Sequence, residues 1–206
     1  MENRERFDLE RVSREEHRLI APCGIYCGAC DLFLGRSREH AKELSRIMKG
    51  FNMIDVGPPI MRVEQEKIRE FIEILDNWSR GEKCPGCWEG VCWESSGTTA
   101  CLVRECTKKQ GFLTCAECEK MPCHEHHGDE VIESPQAGAW LQIVTKRYSG
   151  WNIDNLRRIR EIGYRRFIDE MEKKVKSGFL TSDVIGSEMI LSEFRKRRKV
   201  KLPEGE

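Results

Sequence analysis

The sequence predicts a mainly α protein, with helices packed around irregular cysteine-rich loops and little β structure. Three observations carry that expectation. Apolar residues recur at helical spacing over residues 37–50, 62–79 and 151–178. No segment reads as a series of alternating strands. All 11 cysteines fall between positions 23 and 123, much of which lacks any periodicity.

The elements follow in order. Residues 1–20 are charged, with Leu9, Val12, Leu19 and Ile20 as apolar points, which suits a short amphipathic helix. APCGIYCGAC then opens a glycine-rich turn. Over 37–50, Ala41, Leu44, Ile47, Met48 and Phe51 keep helical spacing, with Ser37 as the expected cap and Gly50 as the end. DVGPP at 55–59 reads as a break. Over 62–79, Val63, Ile68, Phe71, Ile72, Leu75 and Trp78 form one broad stripe that Gly81 ends. From there to about Gly128 the chain turns to cysteine, glycine, proline and small polar residues. So long a structureless loop is unusual in a compact domain, and bound ions would replace its missing apolar core. AGAWLQIVTKRYSGW suggests a short helix. WNIDNLRRIREIGYRRFIDEMEKKVKSG suggests a long one, with Leu156, Ile159, Ile162, Phe167, Met171 and Val175 facing the core and Gly178 as its stop. A last helix is expected over TSDVIGSEMILSEFRKRRK. The expected organisation is a cysteine-rich metal-binding domain with N-terminal helices over 1–128, then a helical extension with a basic tail over 129–206.

The cysteines stand in metal-ligand spacings: Cys23-x3-Cys27-x2-Cys30, Cys84-x2-Cys87-x4-Cys92, and Cys101-x4-Cys106-x8-Cys115-x2-Cys118-x4-Cys123. A tight turn across Cys-x2-Cys brings two sulfurs to one side, and backbone N–H groups in that turn stabilise their negative charge. CPGC and CAEC are knuckles of this kind, and a structural zinc site joins two such pieces. Eleven thiolates make two four-cysteine sites with three left over. A third site would need a ligand from His124, His126 or His127, which otherwise read as exposed loop residues. Cys23, Cys27 and Cys30 also match the radical-SAM spacing. That chemistry needs a barrel the chain has no strands to build, and Ala29 stands where that family has an aromatic.

The bulk numbers narrow the setting. Lysine plus arginine and aspartate plus glutamate both total 35, which argues against a globally basic nucleic-acid binder. The first residues lack the apolar stretch of a secretory leader, and no apolar run approaches the ~20 residues of a membrane span. The expectation is a cytoplasmic protein without membrane association. In a reducing compartment, cysteines so spaced favour metal over disulfides, and an odd number of them suits a disulfide framework poorly.

With these motifs laid out, the chain resembles the cysteine-rich family catalogued as domain of unknown function 3795. The resemblance rests on CGIYCGACDLF at 23–33, CPGC at 84–87 and CLVRECTKKQGFLTCAECEKMPC at 101–123. It places Cys23, Cys27, Cys30, Cys84, Cys87, Cys101, Cys106, Cys115, Cys118 and Cys123 on the family's motifs, and Cys92 more loosely. It implies metal binding, commonly described as zinc, and no particular activity.

No phosphate-binding loop, nucleophile elbow or zinc-protease motif is present, so no catalytic residue is named. The expectation is therefore Zn2+ at two or more sites in an interaction module whose partner is another protein. The alternative is a 4Fe-4S protein in electron transfer or a redox complex. A second alternative is nucleic-acid binding through RKRRKVK at 195–201, which reads more simply as a solvated helix end. Trp88 and Trp93, beside Cys87 and Cys92, are expected to shield a metal site rather than to stack on bases.

Overall fold

In the computed structural model, which describes residues 5–89, 101–123 and 135–185, every regular element is helical. The one extended feature among these residues is an isolated antiparallel bridge between Ile20 and Tyr26. The mainly α expectation holds. None of the described helices is long and apolar enough to cross a membrane. The chain forms two compact units, one of residues 1–29 and 86–206 and the other of residues 30–85.

The contiguous unit holds α2 (Asp31–Leu34), α3 (Arg36–Gly50), α4 (Met53–Met61) and α5 (Gln65–Arg80). Its core is Met48, Ile68 and Ile72, with Met53, Ile54, Val63 and Leu75 packed against them. Helices α3 and α5 run side by side, tied by Ser45 Oγ donating to Asp76 at 2.5 Å and by Lys49 to the same carboxylate at 2.6 Å. Two expectations are corrected here. Helix α3 begins one residue before Ser37, on Gly35 rather than on a hydroxyl cap. The break expected at 55–59 is instead helix α4, which runs through Pro58 and Pro59. Neither proline nitrogen carries a proton, so α4 lacks two of its ladder bonds. Packing compensates: Met53 and Ile54 lie on the core, and Gly57 is buried where a Cβ would stand 3.0 Å from Ile68.

The discontinuous unit holds α1 (Arg14–His17), α6 (Leu102–Gln110), α7 (Pro135–Arg147) and α8 (Trp151–Lys176). The helix expected over the first twenty residues is two separate turns, a 3-10 turn at Leu9–Arg11 and then α1. Ser13 and Glu16 form a reciprocal capping box that starts α1 afresh. Helix α6 lies inside the stretch expected to be aperiodic. It buries Val103, Arg104 and Thr107, a face whose polar members hide it from a hydropathy reading. Helix α8 buries Leu156, Ile159, Phe167 and Met171 as expected, and Ile153, Tyr164 and Ile168 besides.

Gly163 breaks α8, with φ 78° and ψ 169°. The N-terminal segment fills the break. Tyr164 N–H donates to the Phe7 carbonyl at 3.3 Å, the two rings lie 5.9 Å apart, and a Cβ on Gly163 would stand 3.2 Å from the Asp8 carboxylate. The last expected helix is represented by a 3-10 turn at Thr181–Val184; the rest of it lies outside the described residues.

Candidate metal centre

Two loops of the discontinuous unit are held against α8. The first is Ala21–Gly24. Gly24 N–H donates back to Ala21 O at 2.9 Å, and Gly24 itself leaves the turn at φ +91°. The turn also lies so close to α8 that a Cβ on Gly24 would stand 2.2 Å from Asn152 O and 2.6 Å from Leu156 Cγ. Two buried amides clamp it: Asn152 Nδ2 donates to Cys23 O at 3.1 Å and Asn155 Nδ2 to Gly24 O at 2.8 Å. The Cys23 carbonyl is thereby fixed from one face of α8.

The second loop is the CAEC knuckle, a 3-10 turn at Cys115–Glu117. Thr114 Oγ1 caps it, accepting from Ala116 N–H at 3.1 Å. The buried Glu117 carboxylate folds back to accept from Leu113 N–H at 2.7 Å and from Tyr164 Oη at 2.8 Å. Tyr164 Oη in turn lies 2.8 Å from Thr114 Oγ1. Burial, and then the Glu117 carboxylate, hold the Tyr164 phenol well above its ordinary pKa, so it stays a donor. Arg160 donates through Nε to Ala116 O at 2.7 Å and through Nη2 to Cys118 O. Cys115 N–H donates to Pro22 O at 2.9 Å, which joins the two loops directly.

The result is a gathering of thiols. Burial pushes the Cys115 thiol well above its ordinary value, and Cys23, Cys123, Cys118 and Cys106 raise it further, in that order. Cys115 as a residue keeps some accessible surface, so the effect comes from protein packed round its sulfur. The Cys123 thiol is also raised, by burial first and then by Cys118 and Cys106. Cys123 is approached by α7, where a Cβ on Gly138 would stand 3.4 Å from its sulfur. Five of the expected cysteines thus belong to one neighbourhood: Cys23, Cys106, Cys115, Cys118 and Cys123.

The other described cysteines are positioned by their own local structure. Cys27 is buried in a 3-10 turn, Cys101 is the buried N-cap of α6, and the Cys87 carbonyl accepts from Arg104 Nη1 at 2.6 Å. In the contiguous unit Cys30 stands at the N-cap position of α2 without a side-chain capping bond, and Cys84 N–H donates to Leu32 O at 3.1 Å in that helix. The ten described cysteines form no disulfide. Cys92, Trp93, His124, His126, His127 and the basic run at 195–201 lie outside the described residues.

The donor set has the chemistry of a soft-metal site: thiols, partly enclosed, on loops whose carbonyls are tied down by amide and guanidinium donors. Its geometry is looser. Among the described residues no three histidine, cysteine or carboxylate side chains converge tightly enough to hold a metal ion. The residues that position the loops, Asn152, Asn155, Arg160 and Tyr164, were not singled out from the sequence. A signal was present, since the two asparagines interrupt the apolar face of α8 at helical spacing next to Leu156 and Ile159.

A family model described as Protein of unknown function (DUF3795) matches residues 19–128. No curated protein and no solved structure matches the chain.

Proposed function

Because the chain belongs to the DUF3795 family of proteins of unknown function, and all of its cysteines lie in the matched segment, we propose that it is a zinc protein whose metal staples the loops of an interaction module. One observation supports the reading above the rest: Cys115 has Cys23, Cys106, Cys118 and Cys123 as its electrostatic neighbours. Burial and the charge of any neighbouring thiolate raise the pKa of each thiol in such a group, whereas a divalent cation among them would favour the thiolates and release their protons. Cys115 and Cys118 of the knuckle, with Cys106 and Cys123, are the residues that would hold it, and Cys23 stands next to them. The ion would supply cohesion to loops that have few apolar side chains of their own, and it would offer no redox chemistry. A partner protein and a reducing cytoplasm belong to the same reading.

The test is elemental analysis and visible absorption of protein purified without oxygen, with cobalt substituted for the native metal. The expected result is a colourless protein containing zinc. Its cobalt form should show sulfur-to-metal charge transfer that weakens in Cys115→Ser and Cys118→Ser. A brown protein containing iron and acid-labile sulfide would replace zinc with an iron–sulfur cluster. Protein that binds neither metal tightly would overturn the proposal.

A further inference from the structure

A second feature of the discontinuous unit lies outside the thiol neighbourhood. A cavity of about 420 Å³ is lined by Arg14, His17, Arg18, Trp88, Glu89 and Phe112, among others. Its size is that of a site for a small organic molecule. Its walls combine an indole and a phenyl ring with leucine side chains, which suits a flat apolar body. Its polar groups are unbalanced. Two guanidinium groups share the lining with one carboxylate, and that carboxylate, Glu89, is paired with Arg18 at 3.4 Å. Arg14 has no ion pair among the described residues. The indole N–H is also committed, donating to Ile20 O at 3.2 Å, so Trp88 offers its ring and not its donor. A ligand with a flat apolar body and one negative charge would meet the rings and Arg14 together, whereas a cation would meet a surplus of positive charge.

We infer that this cavity is a binding site for a small planar organic anion, with Arg14 as the group that recognises its charge. The walls continue into two of the cysteine segments. Trp88 directly follows Cys87, and residues 111–113 lead through Thr114 into Cys115. Leu113, in the wall, donates its N–H to the Glu117 carboxylate inside the CAEC knuckle. A bound anion therefore rests on the same loop that sets the position of Cys115.

The experiment uses a matched pair of probes, 1-naphthoate and its neutral amide, 1-naphthamide. They are titrated into the full-length protein as purified, under reducing conditions, and followed by ligand-observed NMR. The expected result is saturable binding of naphthoate roughly fivefold or more tighter than naphthamide, the scale of one charge-assisted contact at a partly open site. Arg14→Gln, an exposed change at the start of a short helix, should remove that preference and leave naphthamide binding unchanged. Phe112→Ala should weaken both probes. Equal affinity for the two probes would overturn the inference, because adsorption on apolar side chains elsewhere would not distinguish them. So would a preference that survives in Arg14→Gln, or no saturable binding of either probe.

Discussion

A single methyl group added at Gly24 would stand 2.2 Å from the Asn152 carbonyl oxygen. Neither atom can retreat, since one belongs to a helix backbone and the other to a turn held at φ +91°. Gly24→Ala should therefore destabilise the discontinuous unit by about 3 kcal/mol or more, from left-handed strain and overpacking together. The control is Gly111→Ala, at φ +71° with open space round its Cβ, which should cost about 1 kcal/mol. Urea unfolding of both variants checks this, and equal losses would refute the packing account. At Tyr164 the phenol bridges Thr114 and the buried Glu117 carboxylate. Tyr164→Phe keeps the ring but leaves that carboxylate short of a donor. The expected cost is about 1–3 kcal/mol, with faster amide exchange at Leu113 and Thr114 as its local signature. The glycine was legible in the sequence as part of the cysteine motif. Its physical reason was not, because the helix it touches lies more than a hundred residues away.

Helix α5 shows how far periodicity reaches. Its stripe of Ile68, Phe71, Ile72, Leu75 and Trp78 was legible, and the helix is there. Only Ile68 and Ile72 are fully covered, while Phe71, Ile74 and Trp78 are 41%, 58% and 50% exposed. A pattern tells which residues could be buried, and tertiary packing decides which are. Ile72→Ala should then cost about 2–4 kcal/mol and Ile74→Ala no more than about 0.5 kcal/mol, measured as shifts of the urea midpoint. Similar losses at the two positions would mean that the exposed face is covered in solution. Helix α4 escaped the reading for the opposite reason. Proline is a strong local signal, and packing on Met48 and Ile68 overrode it.

The tie between α3 and α5 also has a pH signature. Hydrogen bonds from Lys49 and then Ser45 hold the Asp76 carboxyl below its ordinary value of 3.8. A depressed carboxyl contributes stability above the unfolded-state value and loses it as pH falls through the folded one. Unfolding of α3 and α5 should therefore become easier below about pH 4, and Asp76→Asn should flatten that acid limb. An unchanged acid limb in the variant would show that the tie contributes nothing.

For the whole molecule, the two units make different demands. The contiguous unit has an apolar core and helices close in sequence. The discontinuous unit buries its own apolar core along α8, with Tyr26, Leu141, Leu156, Phe167 and Ile168 fully covered, but its cysteine loops are held to that core by polar ties between distant segments and, on the proposed reading, by metal. Chelation under reducing conditions should speed amide exchange in residues 19–27 and 111–123 while amides of α3 and α5 keep their protection. Loss of protection in both units to the same degree, or in neither after verified metal removal, would contradict this. The sequence made the thiols of the site legible because spacing is a local property. Their grouping was not legible, since it depends on Asn152, Asn155 and Arg160 arriving from a helix that carries no cysteine.

That arrangement has a consequence for how the protein is made. The bonds that fix the cysteine turn close over long intervals: 129 residues from Asn152 to Cys23, 131 from Asn155 to Gly24, 155 from Thr181 to Tyr26. Residues 30–85 carry their core of Met48, Ile68 and Ile72 within one short interval, so they are expected to fold while synthesis continues. The Cys23 turn cannot, and at ~5–20 residues per second it waits about 7–30 seconds for α8 to be translated. Through that interval Cys23 and Cys27 are nascent thiols without their native surroundings, open to oxidation or to capture by a wrong partner. A ribosome stalled before residue 150 should therefore carry a folded helical unit and a cysteine turn still reactive toward maleimide, and completion of α8 should end that reactivity.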